Sequence, residues 1–107
     1  MLEPRASKAT IERLIVGKAV DHILQKHKTL RVETGSQGLM LRYCDDADSI
    51  IAAALASDDG EAWLFTPNKK LFVKLVLGNG TSVISDYSLG LDAALKPAND
   101  LAKALEA

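Results

Sequence analysis

The segment Lys70-Leu71-Phe72-Val73-Lys74-Leu75-Val76-Leu77 reads as a strand that is apolar on both sides. Side chains alternate across a strand. Leu71, Val73, Leu75 and Leu77 therefore share one face, and Lys70, Phe72, Lys74 and Val76 share the other. A sheet built around such a strand needs cover on each side: a layer of helices, a ligand, or another copy of itself. The second face is expected to display Phe72 and Val76, joined by Ile84. Whether Trp63 and Phe65 lie there depends on register. Each such side chain contributes about 1.5–3 kcal/mol when fully buried, so leaving several wet is costly. Either the alanine-rich helix expected over 49–57 covers them, or two sheets pair face to face. Lys70 and Lys74 argue against complete burial, although lysine stems reach the rim of an interface.

The neighbouring pattern supplies the rest of the sheet. Residues 61–66 form a strand, Pro67-Asn68 a turn, 69–77 the long strand, and 81–86 a third. Between the last two, Gly78-Asn79-Gly80 carries the signal of a tight hairpin, because Asn-Gly tolerates positive φ. Upstream, Ser7 is placed to cap a helix over 8–27. Its apolar side holds Ile15, Val16, Ala19, Val20, Ile23 and Leu24, with Gly17 in the middle. Leu30-Arg31-Val32-Glu33 and Leu39-Met40-Leu41-Arg42-Tyr43-Cys44 flank the turn residues 34–38 and read as a hairpin. Asp45, Asp46 and Asp48 precede the helix over 49–57, where acidic groups oppose the helix dipole. The last helical region, 89–106, contains Pro97 and is expected to break or kink near Lys96. The order is α-β-β-α-β-β-β-α. Short links between strands demand antiparallel pairing. The fold class is α+β: a mainly antiparallel sheet with helices packed on it. Residues 1–7 read as a flexible lead-in and 8–107 as a single domain.

The chain has 107 residues, enough to bury roughly 65% of the surface its unfolded form exposes. It needs no metal or disulfide to hold a core. Net charge is −1, so no strong pull on nucleic acid or anionic membrane comes from the whole chain. Cys44 is the single cysteine and cannot close an intramolecular disulfide. The start, Met1-Leu2-Glu3-Pro4-Arg5, has no apolar leader. The apolar run 50–56 is far shorter than the ~20 residues that cross a bilayer. A soluble cytoplasmic protein is expected.

Chemistry-bearing motifs are sparse. Asp45, Asp46 and Asp48 lack the glycine turn and closing glutamate of a calcium loop, and helix capping explains them. His22 and His27 lie five apart on a helix and point about 140° away from each other at ~100° per residue, which disfavours a shared metal. Cys44 with His27 has no flanking nucleophile motif. Ser36 lacks the spacing of a nucleophile elbow. Gly78-Asn79-Gly80 leads into a strand, whereas a phosphate loop leads into a helix. Lys69, Lys70 and Lys74 around Phe72 are a thin signal for a single-stranded nucleic-acid platform, and lysines on a strand ordinarily protect against edge pairing.

No cofactor, metal or catalytic constellation stands out. The expected role is a small non-enzymatic binding or assembly module, homodimeric through an apolar sheet face. The interface residues are then Trp63, Lys70, Phe72, Lys74, Val76 and Ile84. The alternative is a small-molecule site between the 61–86 meander and the C-terminal helix, marked by polar groups such as Tyr43, Asp86 and Tyr87.

Overall fold

A computed structural model describes residues 7–35 and 38–106. Most of the lead-in and the turn residues Ser36 and Gln37 lie outside the described residues. The elements follow the expected order: α1 (Lys8–His27), β1 (Leu30–Thr34), β2 (Gly38–Cys44), α2 (Ala47–Leu55), β3 (Glu61–Phe65), β4 (Phe72–Val76), β5 (Ile84–Tyr87) and α3 (Asp92–Glu106). Short 3-10 turns lie at Pro67–Lys69, Gly80–Ser82 and Leu89–Leu91.

The helix starts are made by side chains that satisfy free backbone amides. Ser7 Oγ accepts the Thr10 N–H at 3.2 Å and starts α1. Asp46 accepts the Ser49 N–H at 3.1 Å and starts α2, two residues ahead of the sequence boundary. α1 stops at Lys28, whose φ of 71° is left-handed and whose N–H returns to the Leu24 carbonyl.

All five strands join one antiparallel sheet in the order β2-β1-β3-β4-β5. β3 is the central strand. One face of the sheet supplies Leu30, Val32, Ala62, Leu64, Val73 and Leu75 to a single buried cluster. The helices meet them there with Ile15, Val20, Ile23, Ile50, Ala54, Leu95 and Ala98. α2 therefore lies on the same face as α1 and does not cover the other side. A Cβ placed on Gly17 would meet Ile51 Cδ1 at 3.6 Å, an ordinary contact, so glycine there is not required by α2.

Three local features differ from the sequence reading. The long strand is shorter, because Asn68 (φ 63°) and Lys69 (φ 53°) are both left-handed and turn the chain before Phe72. Lys70 thus sits in the turn and is exposed. The β4–β5 link is no two-residue hairpin: Gly78 and Gly80 have φ of 94° and 60°, but Asn79 has −93°, and a 3-10 turn follows. Finally, α3 runs unbroken through Pro97.

The β4–β5 link is tied to the first helix. Glu12, only 4% exposed, accepts the Gly78 and Gly80 N–H groups on one oxygen at 2.8 and 2.7 Å.

Candidate functional site

The face of the sheet away from the helices carries Trp63, Phe65, Phe72 and Val76, arranged in rows by register. Residues directly opposite each other in an antiparallel pair point the same way. Arg31, Phe65 and Phe72 form one row. Leu39, Glu33, Trp63, Lys74 and Asp86 form the next. Glu61 and Val76 form the third. Trp63 stands at the centre, on the central strand. Trp63, Phe65, Phe72 and Val76 are half-buried, although no helix lies over them.

Cations of the same face lie over two of these rings. Lys69 Nζ lies 4.7 Å from the Phe65 ring centre, and Lys74 Nζ 5.6 Å from that of Trp63. A cation over a ring face is attracted by the ring quadrupole. The same lysines meet acids: Lys69 Nζ is 3.0 Å from Glu33, and Lys74 Nζ is 3.9 Å from Glu61. Arg31 Nε donates to Glu33 at 2.7 Å. Lys69 reaches back onto the sheet because the left-handed turn points it there. Tyr43 pins that turn: its hydroxyl donates to the Thr66 carbonyl at 2.7 Å and accepts the Lys69 N–H at 2.8 Å.

The hydrogen bond from Lys69, helped by Arg31, holds the Glu33 carboxyl below its ordinary range, against the opposing effect of burial. A carboxyl lowered in the folded state adds stability that is present above its unfolded pKa and lost as pH falls through the folded one. Exposed pairs are screened, so the contribution is below about 1 kcal/mol. In urea titrations of wild type and Glu33→Gln, the stability gap is expected to close as the pH falls from neutral to about 3. A gap that stays constant would mean Glu33 is not held this way.

The sequence-derived interface residues divide. Trp63, Phe72, Lys74 and Val76 share the open face. Lys70 lies in the neighbouring turn. Ile84 pairs with Leu75 and packs on the helical core, because a bulge between Lys74 and Leu75 shifts the β5 register. Phe65, Arg31, Glu33 and Lys69 join the face, and the first three follow from alternation once register is known.

Tyr43, Asp86 and Tyr87 do not converge. Tyr43 is on β2 and the other two are on β5, at opposite edges of the sheet. The Tyr87 hydroxyl donates to Asp92 at 2.9 Å, and that carboxylate raises its pKa. Asp86 accepts its neighbour's N–H at 2.9 Å. A shallow groove of about 430 Å³ lies elsewhere, on the helical layer. Gly17, Ile51 and Leu101 line it, with exposed Arg13, Lys18, Asp21 and Asp48 around them.

Two of the remaining candidates, Asp46 and Cys44, are locally engaged. Asp46 caps α2, and Cys44 Sγ accepts the Asp46 N–H at 3.4 Å. His27 Nε2 is buried with no hydrogen-bond partner among the described residues. No group of three or more His, Cys, Asp or Glu among the described residues is placed to hold a metal. No described helix is long and apolar enough to cross a membrane. Comparison with protein-family models, with curated proteins and with solved structures finds no match.

Proposed function

We propose that this chain is a non-enzymatic binding and assembly module that pairs with a second copy of itself through the open sheet face. The observation that carries the reading is the placement of all three helices on one side, which leaves the Trp63-centred face without a layer.

Charge placement favours a second copy as the occupant. β3 is the middle strand, so a two-fold axis along it superposes β1 of one copy on β4 of the other. Glu33 then faces Lys74 across the interface, Arg31 faces Phe72, and Trp63 and Phe65 meet their own symmetry mates. A self-complementary patch of this kind is what an isologous dimer requires.

Phe72→Lys tests the reading. It sets a second cation against Arg31 of the other copy, outside the core of the subunit. Sedimentation equilibrium over a wide concentration range should show a wild-type dimer. The variant should dissociate at least about 100-fold more readily, equivalent to about 3 kcal/mol. Glu33→Lys and Lys74→Glu should each weaken the dimer, and their combination should recover part of it. A wild-type chain that stays monomeric at high concentration overturns the proposal. Retention of that monomer on single-stranded DNA at low salt would assign the face to nucleic acid instead.

A further inference from the structure

The Gly78-Asn79-Gly80 loop has the backbone of an anion receptor. Its φ values alternate in sign, at 94°, −93° and 60°. Residues of alternating handedness turn the first and third amides toward one point, a concavity that binds negative oxygen. That point is occupied. Glu12 Oε2 accepts both N–H groups, at 2.8 and 2.7 Å, and Gly80 is itself buried. These are the lengths of charge-assisted hydrogen bonds. The bound oxygen belongs to another element, 66 and 68 residues away along the chain. Loop and ligand are thus separate parts of the chain, joined only in the folded state.

We infer that the Gly78–Gly80 loop is a carboxylate-binding site in its own right, filled by Glu12, and that a small carboxylate anion takes the place when that side chain is removed. Glu12→Ala deletes a methylene and a carboxylate, which together are the heavy atoms of acetate. Both amide donors and the walls of the site stay. In the intact chain the tethered carboxylate has a high effective concentration and keeps free anions out.

The test is thermal denaturation of Glu12→Ala in sodium acetate and in sodium chloride at equal ionic strength. Acetate should raise Tm by several degrees at tenfold excess over its dissociation constant, and the rise should follow a saturable binding curve. Chloride should not. Wild type and Glu12→Gln, whose sites are filled, should show no difference between the two salts. Amide resonances of Gly78 and Gly80 in Glu12→Ala should move with acetate and saturate at the same concentration. If Glu12→Ala is unfolded in chloride, recovery of helical circular dichroism on adding acetate reads the same binding. Identical behaviour in acetate and chloride overturns the inference. Repeating the titration in a Phe72→Lys background keeps this result independent of self-association.

Discussion

Leu64→Ala should lower the free energy of unfolding by about 2–5 kcal/mol, whereas Trp63→Ala, one residue earlier, should cost about 1–2 kcal/mol. The two side chains are neighbours on the central strand and point to opposite faces. Leu64 is 1% exposed and lies among Val32, Val73 and the helices. Truncating it removes transfer energy and leaves a cavity that a close-packed interior relaxes only in part. Trp63 has solvent and a lysine stem above it, and water can follow the ring out. Its loss should appear in association: a central aromatic of this size is where binding energy concentrates, so the dimer should weaken more than tenfold. Urea denaturation at low protein concentration isolates folding, and sedimentation at high concentration reads association. An equal stability loss for both variants, with no change in association, would make the open face purely structural.

Glu12→Ala should cost about 3 kcal/mol, and Glu12→Gln clearly less. The alanine variant leaves two amide donors without their charged acceptor, and one of them is buried. Unsatisfied buried groups cost about 1–3 kcal/mol each. Glutamine keeps the volume and one acceptor oxygen but loses the charge that strengthens both bonds. Set against a domain stability of about 5–15 kcal/mol, the alanine loss is large for a single polar side chain. Urea midpoints with unchanged slopes would read it directly. A cost below about 0.5 kcal/mol would mean that water replaces the carboxylate at no penalty.

Local chemistry made much of this architecture legible. The alternation in 70–77 separated Val73 and Leu75 from Phe72, Lys74 and Val76, and the sheet keeps that separation. Ser7 and the aspartates ahead of α2 marked helix starts through capping, which involves only neighbours in sequence. Features that depend on distant pairing were not legible. Ile84 faces the core because of a bulge opposite β4, and no property of 81–86 announces it. Lys70 left the strand because Asn68 and Lys69 adopt positive φ, a conformation that Tyr43 from β2 helps to hold. The sequence grouped Tyr43 with Asp86 and Tyr87, but strand order depends on the non-local β1–β3 pairing, which sends them to opposite edges. Gly78-Asn79-Gly80 carries the local signal of a hairpin, with nothing in its neighbours to name what its amides bind. Its partner proved to be a glutamate far upstream.

The edges of the sheet bear on stoichiometry. β2, at one edge, is irregular twice in its pairing with β1, and β5, at the other, is four residues long with a bulge of its own. Bent or short edges make poor templates for an added strand. The helical layer occupies one face of the sheet, so a contact through the other uses the remaining face. Two copies joined about a two-fold axis would then leave neither an open face nor a regular edge for a third. Growth would stop at two, with no route to a filament.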